Sequence, residues 1–257
     1  IPVPSDENHV MYVWFDALVN YISTIGWPKD LIEFNNFWPG IQLAGKDNLR
    51  QQTAMWQAML LSAQLPNSKQ ILINGFIGVN GQKMSKSLGN VISPEEMVAR
   101  YGVDATRYLL ISLGTFGEDS DVTFEKLDTL YNANLANGLG NLCSRVAKMA
   151  EQINLELSID EDFQDESFIR IMNNFDLNDA LKHINVMVGT LDKFLTSNAP
   201  WKLQGQEKTA VLQEASQKIK NIASMLTPFM PETAIKIKNH FNQNVKAFDE
   251  GLFPRLS

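Results

Sequence analysis

Apolar residues in the first 115 residues of the chain fall in short runs that alternate between strand-like and helix-like spacing. The segment HVMYVWFDALVNYIST predicts a short strand that continues into a helix, and GIQLAG predicts a strand that ends at Gly45. After it, KDNLRQQTAMWQAMLLSAQL has apolar residues at helical spacing, and KQILINGFIGV is apolar and β-branched. Strands and helices that alternate at such short intervals indicate a parallel α/β sheet.

The segment SPEEMVARYG carries a complete set of helix signals. Ser93 can cap the helix, Pro94 suits its first turn, and Glu96 completes a capping box. Gly102 can end the helix. We therefore expect a capped helix at this point of the chain.

From Thr123 onward the pattern becomes almost entirely helical. One helix face is marked by apolar residues at alternating spacings of four and three: Leu177, Leu181, Ile184, Val188, Leu191 and Leu195. Such a stripe needs partner helices to bury it. The acidic stretch Glu156–Glu166 predicts a solvent-exposed loop between helices. We therefore predict an α/β domain over residues 1–122 and an all-α helical bundle over residues 123–257.

Composition narrows the kinds of ligand that the chain can bind. Its 257 residues carry 22 Lys and Arg against 29 Asp and Glu, which gives a formal net charge of −7. The mean hydropathy is −0.15 and the sequence pI is about 5.0. A global basic field that attracts nucleic acid is therefore excluded, so any nucleic-acid site must be a local patch.

Cysteine and histidine usage argues against a disulfide framework and a metal centre. Cys143 is the single cysteine, and the three histidines show no metal-ligand spacing. We therefore expect no zinc site in this chain. No apolar run approaches the roughly 20 residues that a bilayer span needs, and no signal peptide opens the chain. These features predict a cytoplasmic location and no membrane partner.

The loop NGQKMSKSLGN, residues 80–90, concentrates chemistry that suits a polyphosphate. Lys83 and Lys86 lie three residues apart and can approach one anion from different directions. Ser85, Ser87 and nearby backbone N–H groups add further donors. Such a loop can stabilise charge that develops on a phosphate during displacement at phosphorus. For a lysine pair taken alone, an exposed surface turn is the alternative.

The run Lys-Met-Ser-Lys-Ser in this loop resembles the motif with which class I aminoacyl-tRNA synthetases bind the ATP phosphates. A predicted strand before the loop and a capped helix after it fit that context. The resemblance implies ATP, accompanied by Mg²⁺, as the ligand, and Lys83 and Lys86 as catalytic residues. The residues that it implies for ATP binding are Gly75, Lys83, Met84, Ser85, Lys86 and Ser87.

Other segments resemble one branch of these enzymes, the methionyl-tRNA synthetases. YVWFDALVNYIS resembles the segment that closes over the methionine side chain, and LAGKDNLR resembles the Gly-Lys-Asp segment at a strand end. A thioether packs well against aromatic rings. The implied methionine-binding residues are Trp14, Ala17, Leu18, Tyr21, Asp47 and Gln52. Plain core packing of the aromatic residues and a helix cap at Asp47 are the alternatives.

Two segments of the helical half resemble the anticodon-binding domain of the same family. GNLCSRVAKM resembles its anticodon-reading helix, with Asn141 and Arg145 four residues apart on one face. SNAPWKL places Trp201 like the tryptophan that stacks on an unpaired anticodon base. Asn can hydrogen-bond a base edge, and Arg can stack on a base or contact phosphate. A surface Asn/Arg pair and a Trp wedged between helices are the alternatives.

The resemblance covers nearly the whole chain, whereas the chain covers only part of the family. No His-x-Gly-His segment and no zinc-binding insertion occurs in it. The resemblance therefore implies a carboxy-terminal portion, from the second half of a Rossmann-type sheet to the end of the anticodon domain, with the missing amino-terminal half as its partner. The chain has Gln51 and Gln52 where the family commonly has an aromatic-His pair, and Asn74 where it commonly has His.

The implied function is that of a methionine–tRNA ligase, which activates L-methionine with ATP and transfers it to methionine tRNA. Two other hypotheses stay open. The lysine loop fits class I synthetases of the leucine, isoleucine, valine or cysteine type equally well, although WFDALVNY, NLCSR and APW favour the methionine branch. A non-catalytic tRNA-binding module or inactive paralogue is the third hypothesis, because of the absent half and of Gln51, Gln52 and Asn74.

Overall fold

A computed structural model describes residues 2–151, 153–157, 163–242 and 244–256, without the side chain of Lys86. Two compact units are evident from the backbone contacts: Ile1–Phe76 with Gly117–Asp119, and Ile77–Phe116 with Ser120–Ser257. They are called the first and the second unit below. Of the acidic stretch that predicts a loop, residues 158–162 lie outside the described part.

The first unit has an α/β organisation. Its strands and helices are β1 (Pro2–Val3), β2 (Asp6–Val10), α1 (Val13–Ala17), α2 (Asn20–Ser23), α3 (Leu31–Phe37), β3 (Ile41–Gly45), α4 (Trp56–Ser62) and β4 (Gln70–Asn74). β1 and β2 pair antiparallel, whereas β3 and β4 pair in parallel with Ile41 opposite Gln70 and Gly45 opposite Asn74. Parallel neighbours need a crossover, which α4 provides. The parallel pairing predicted from the alternation of elements is confirmed.

The crossover between β3 and β4 is less regular than the single helix that the apolar spacing predicts. It begins as a 3-10 turn over Lys46–Asn48, continues as a π-helical turn over Gln51–Met55, and becomes α-helical only in α4. The side-chain amide of Gln57 donates to the Gln52 carbonyl at 3.0 Å. A side chain that bonds a backbone carbonyl competes with the regular helical ladder at this point of the crossover.

The first unit has a small core. Its buried members are Leu18, Ile22, Phe34, Trp38, Trp56 and Leu60. The indole N–H of Trp38 donates to the Pro66 carbonyl at 2.8 Å, which satisfies the polar atom of this buried ring. Asp30 caps α3 by accepting the Ile32 and Glu33 N–H groups at 3.1 and 3.0 Å.

The second unit is mainly helical. Its strands and helices are β5 (Ile77–Val79), β6 (Gln82–Lys83), α5 (Pro94–Tyr101), α6 (Val103–Ser112), β7 (Ser120–Asp121), α7 (Phe124–Leu130), α8 (Asn141–Ala150), α9 (Glu166–Asn173), α10 (Leu177–Asn198), α11 (Gly205–Leu226) and α12 (Pro231–His240). A π-helical segment, Tyr131–Gly140, joins α7 to α8. β5 pairs antiparallel with β6 and parallel with β7.

Two predictions for the second unit are confirmed. The Ser93 hydroxyl accepts the Glu96 N–H at 3.1 Å, and the Glu96 carboxylate accepts the Ser93 N–H at 2.9 Å, so the capping box at the start of α5 is complete. The apolar stripe of α10 faces a core, since Leu181, Ile184 and Leu195 are at most 1% exposed. That core runs through all the long helices of the unit as one cluster.

Two charged residues of α6 hold the turn between α11 and α12. The Asp104 carboxylate accepts the N–H of Thr233, in the first turn of α12, at 2.6 Å. The Arg107 guanidinium donates to the carbonyls of Phe229 at 2.9 Å and Pro228 at 2.8 Å. A carboxylate at a helix N-terminus also complements the positive end of the helix dipole. These contacts attach α6 to the end of the helical bundle.

Two further properties follow from burial and helix composition. Cys143 is fully buried in α8, and desolvation raises the pKa of its thiol. Within the described ranges, no helix is both long enough and apolar enough to cross a membrane.

Candidate functional site

An aromatic group in the first unit surrounds Trp56, to which the sequence patterns assign no role. Trp56 is 1% exposed. Its ring centroid lies 6.0 Å from that of Tyr21 and 6.2 Å from that of Trp38, which meets it edge to face. Trp14 is partly buried and packs against the same cluster. Two of the predicted methionine-binding residues, Trp14 and Tyr21, therefore share one aromatic environment.

Tyr21 and Gln52 form a polar pair beside these rings. Gln52 is 2% exposed, and its side-chain N–H donates to the Tyr21 hydroxyl at 3.0 Å. Because the hydroxyl oxygen accepts this bond, its own proton can be donated to another acceptor. Gln51 makes a similar contact to the Tyr12 hydroxyl at 3.3 Å. Two of the residues that differ from the family pattern thus orient tyrosine hydroxyls.

The remaining predicted residues of this segment occupy different environments. Leu18 is 1% exposed in the core, whereas Ala17 is exposed. An apolar cavity of 280 Å³ in the first unit is lined by Ile22, Trp56 and Met59, among others. None of the predicted methionine-binding residues lines this cavity.

The Gly-Lys-Asp segment follows β3, as expected from the pattern. Lys46 Nζ lies 2.9 and 3.0 Å from the two carboxylate oxygens of Asp119. Asp119 also accepts the Phe76 N–H at 2.9 Å. The Lys46 ammonium, followed by the Phe76 N–H, lowers the pKa of the Asp119 carboxyl below its usual range. Asp47, the residue predicted to contact substrate, directly follows Lys46 in the sequence, and its side chain is exposed.

Gly75 directly follows β4 and touches another part of the backbone. A Cβ added to it would lie 2.0 Å from the Glu118 carbonyl oxygen, so a larger residue would displace the segment Gly117–Asp119. The side chain of Asn74, which stands where the family commonly has His, donates to the Gly75 carbonyl at 3.2 Å. Glycine is required here for the close approach of two chain segments.

The lysine loop follows a hairpin of the second unit. Asn80 and Gly81 form the two-residue turn between β5 and β6, with φ of 53° and 72°. Two positive φ angles are what a type I′ hairpin turn requires. Asp121 accepts the Gly81 N–H at 2.8 Å, which attaches the turn to β7. Lys83 ends β6 with an exposed side chain.

Asn90 closes the loop that begins at Lys83. Its side-chain oxygen accepts the Ser85 N–H at 2.8 Å, and its side-chain nitrogen donates to the Lys83 carbonyl at 3.2 Å. The side-chain amide of Asn90 thus accepts a hydrogen bond from one point of the loop and donates one to another. Residues 83–90 are called the closed loop below.

The other residues of the motif complete the closed loop. The Ser85 and Ser87 hydroxyls lie 2.7 Å apart, and Met84 is partly buried against the core of the second unit. The backbone of Lys86 begins a 3-10 turn that ends at Leu88, but its side chain lies outside what the structure describes. Met84 therefore anchors the closed loop on the core of the second unit, and the hydroxyls of Ser85 and Ser87 contact each other.

The residues predicted to read an anticodon lie on the helical part of the second unit. Asn141 is exposed at the start of α8, and Arg145 lies one turn later. Arg145 donates to the Asp192 carboxylate of α10 at 2.5 Å. Trp201 is 51% exposed on a 3-10 turn after α10, where Ala199 has a φ of 42°. The wedged-tryptophan alternative therefore fails, because half of the Trp201 surface is accessible.

Metal chemistry and missed residues complete the description of the site. Among the described residues, no group of three or more His, Cys, Asp or Glu side chains could hold a metal ion.

Trp56 and Asn90 were missed by sequence reasoning. The spacing of four between Gln52 and Trp56 on one helix face was a signal for the first. No pattern indicates that Asn90 closes the loop.

Residues 1–147 match the family described as tRNA synthetases class I (M). The chain belongs to this family of class I tRNA synthetases. The match covers more than half of the chain and includes the closed loop and the start of α8. The predicted family and its Rossmann-like class are confirmed by this match together with the parallel pairing of β3 and β4.

Curated relatives carry the name methionine–tRNA ligase. The protein from Lactococcus lactis subsp. lactis (strain IL1403) is 35% identical over 268 residues, which are 96% of this chain and 40% of that protein. The protein from Brucella suis biovar 1 (strain 1330) is 37% identical over 255 residues, 92% of this chain and 50% of that protein. The chain thus spans about half or less of the length of these relatives.

Solved structures agree with this assignment. The Mycobacterium tuberculosis methionyl-tRNA synthetase in complex with methionyl-adenylate superposes with a TM-score of 0.82 at 30% identity, covering 99% of this chain and 58% of that one. The apo form of the same enzyme has a TM-score of 0.80 at 27% identity and covers 100% of this chain. The fold of nearly the whole chain is therefore shared with these enzymes.

Proposed function

We propose that the chain is the carboxy-terminal portion of a methionine–tRNA ligase, which activates methionine with ATP and esterifies methionine tRNA. The observation that carries the proposal is the closed loop, which combines Lys83, two serine hydroxyls and the anchored Met84 directly after one hairpin. The relatives named methionine–tRNA ligase, and the related enzyme solved with methionyl-adenylate, support the choice of methionine.

In the first step, a methionine carboxylate oxygen bonds to the α-phosphorus of ATP while the bond to the bridging oxygen of pyrophosphate breaks. The products are methionyl-adenylate and pyrophosphate. Lys83 and Lys86 counter the charge on the leaving pyrophosphate, and catalysis is mostly positioning and charge stabilisation. Gly75, Met84, Ser85 and Ser87 complete the proposed ATP-binding set.

Mg²⁺ accompanies the nucleotide in this proposal. Mg²⁺ commonly keeps several waters and binds through substrate phosphates rather than through an all-protein cage. Lysine and hydroxyl groups of the closed loop suit the phosphate oxygens of such a complex.

The proposed methionine contacts come from the first unit. Trp14, Ala17, Leu18, Tyr21, Asp47 and Gln52 form this set. The Tyr21 hydroxyl, which accepts from Gln52, can donate its proton to the thioether sulfur, a weak acceptor. Trp56 joins the set because its ring packs against Tyr21. A polarizable sulfur gains further from contact with these rings.

In the second step, a hydroxyl of the terminal adenosine of the tRNA attacks the methionyl carbonyl, an ester forms, and AMP leaves. We propose that Asn141, Arg145 and Trp201 read the anticodon. The exposure of Asn141 and Trp201 supports this role. The ion pair with Asp192 uses one nitrogen of the Arg145 guanidinium, so other N–H groups can contact RNA.

The proposal also includes the domain organisation and the setting of the reaction. Residues 1–122 would form the carboxy-terminal half of the catalytic domain with its lysine loop, and residues 123–257 the helical anticodon-binding domain. The amino-terminal half of the catalytic domain would be the partner that completes the active site. Cytoplasmic location follows from the site of tRNA charging.

Two titrations test the ATP-binding part and the anticodon-binding part of this proposal. The chain is titrated with ATP and Mg²⁺, and separately with methionine tRNA carrying its CAU anticodon or a changed one, at one fixed salt concentration. Lys83→Ala should weaken ATP binding about tenfold, because a charge-assisted contact to phosphate is lost. Trp201→Ala should weaken binding of the CAU tRNA by about 1–3 kcal/mol, because a base loses its stacking partner.

Each variant is the control for the other. Lys83→Ala should leave the anticodon preference unchanged, and Trp201→Ala should leave ATP affinity unchanged. Anticodon discrimination without ATP binding, when the amino-terminal half of the catalytic domain is also present, would instead favour the tRNA-binding module. Equal binding to both tRNAs would show that the helical part does not read the anticodon.

A further inference from the structure

We infer that Asn90 is a positioning residue that holds the closed loop in the conformation that binds the ATP phosphates. The inference rests on the proposed function and adds a residue outside the Lys-Met-Ser-Lys-Ser run. Asn90 is partly buried, and both polar atoms of its side chain bond the loop. It touches the loop at the backbone of Lys83 and Ser85, the two residues that flank Met84.

Among the described residues, the backbone between β6 and α5 is held by Met84, which packs against the core of the second unit, and by a few hydrogen bonds. β6 ends at Lys83, so the sheet ladder does not extend to Ser85. The Leu88 N–H donates to the Ser85 carbonyl at 3.2 Å, which closes a local turn but leaves its orientation relative to the hairpin open. The two bonds from Asn90 supply that orientation, because they join the turn to the last residue of β6.

An amide is the group that this position requires. Asn90 accepts from the Ser85 N–H and donates to the Lys83 carbonyl, and a carboxamide presents both functions on one planar group. Aspartate can accept the first bond, but it places a second oxygen against the Lys83 carbonyl oxygen. Alanine makes neither bond. The two substitutions therefore separate loop geometry from the donor function.

The effect of this geometry is on phosphate affinity. A loop already held in its binding conformation does not lose ordering entropy when the ligand arrives, so preorganisation strengthens binding. Asn90 sets the direction in which β6 ends before ATP binds. It therefore also sets the position from which the Lys83 side chain extends. Asn90 itself donates to no phosphate in this arrangement and acts through Lys83 and Ser85.

The test compares wild type with Asn90→Ala, Asn90→Asp and Lys83→Ala, with Val91→Ala as control. Val91 is the next residue and is 40% exposed. Each chain is labelled with ¹⁵N-serine, and amide hydrogen exchange of Ser85 is followed by NMR. The same samples are titrated with ATP and Mg²⁺, and their melting temperatures are recorded.

In Asn90→Ala, Ser85 exchange should accelerate about tenfold and ATP should bind about five- to tenfold more weakly, with an unchanged melting temperature. Asn90→Asp should keep slow Ser85 exchange, since the carboxylate still accepts that bond, yet bind ATP at least as weakly as Asn90→Ala. Val91→Ala should match wild type. A merely structural asparagine would lower the melting temperature and would not separate the Ala and Asp variants in this way.

Two results overturn the inference. One is wild-type ATP affinity in Asn90→Ala, and the other is equal Ser85 exchange in wild type and Asn90→Ala. If Asn90→Ala is poorly folded, wild-type ATP affinity in Asn90→Asp overturns it instead. If wild type and Lys83→Ala bind ATP equally weakly, the proposed function fails, and the inference about Asn90 fails with it. The comparison of these two ATP affinities does not involve Asn90, so the two kinds of failure can be distinguished.

Discussion

The two units of the chain bury their apolar residues to very different degrees. In the second unit one cluster extends from Val79 to Val245 and includes residues from every long helix. In the first unit the buried cluster has only a few members, while Phe15, Ile32 and Leu43 are 65%, 80% and 65% exposed. The helical unit is therefore stabilised mainly by its own packing, and the α/β unit leaves a large apolar surface in water.

The difference reflects what each kind of element needs. A helix in a bundle buries one stripe against neighbouring helices, and this chain supplies those neighbours. A strand of a parallel sheet has two faces and usually buries both. Within the described part of the chain β3 pairs with β4 alone, so side chains such as Leu43 stay exposed. Stability and solubility should therefore respond to substitutions in different units.

The largest expected effect is on the stability of the helical unit. Leu181→Ala should lower the free energy of unfolding by about 3 kcal/mol, because a fully buried leucine leaves a cavity. Val186→Ala on the same helix is the control, since Val186 is 67% exposed, and it should change that free energy by less than about 0.5 kcal/mol. Urea unfolding followed by circular dichroism measures both. Equal effects of the two substitutions would contradict the assignment of the α10 face.

A smaller effect is expected on the solution behaviour of the α/β unit. The exposed edge and apolar face should make the chain self-associate with rising concentration. Leu43→Lys should weaken that association about tenfold, because a side chain worth roughly 1.5 kcal/mol of burial becomes charged. Val186→Lys, at an equally exposed position of the second unit, should leave it unchanged. Light scattering that shows a monomeric wild type over a wide concentration range would rule this out.

The smallest expected effect is electrostatic and concerns the contact of α5 with α7. Arg100 donates to both carboxylate oxygens of Asp128, at 2.9 and 2.5 Å, and the Tyr101 hydroxyl donates at 2.7 Å. These bonds, that from Arg100 above all, lower the pKa of Asp128. Because the pKa of Asp128 is lower in the folded state, its ion pair stabilises the protein at pH values above the unfolded-state pKa, which is near 4. That stabilisation is lost as the pH falls through the folded-state pKa.

Asp128→Asn should therefore be less stable than wild type at pH 6 by about 0.5 kcal/mol, a small figure because the pair is partly solvated. The difference should shrink as pH falls below 4. Asp119→Asn gives the matched comparison in the first unit, since the pKa of Asp119 is also lowered but its ion pair with Lys46 is exposed. Its effect should be smaller and should disappear at high salt. A pH-independent difference for Asp128→Asn would contradict this account.

The sequence patterns predicted much of the local structure. The capping box of Ser93 and Glu96, the apolar face of α10 and the parallel strands around α4 are all as expected. Each depends on residues a few positions apart, where periodicity and capping rules apply. The family was likewise predicted from contiguous motifs. The roles of the individual site residues, carried over from that resemblance, stay predictions.

What the patterns did not predict are the irregular and long-range features. The π-helical turn at Gln51–Met55 interrupts a segment whose apolar spacing is helical throughout. Asn90 stands at the end of the lysine loop in the sequence, but its spacing from the other loop residues does not indicate which backbone groups it bonds. Side-chain amides can bond many neighbours, so their partners are chosen by the surrounding backbone rather than by residue type.

The sequence by itself determined most element types, the helix boundary at Ser93 and the family, because these depend on short stretches of chain. Tertiary structure alone decided the pairs that join distant segments. Gln52 meets Tyr21 across 31 residues, Lys46 meets Asp119 across 73, and Asp104 meets Thr233 across 129. Such contacts form only after packing has brought the segments together, so no local spacing encodes them.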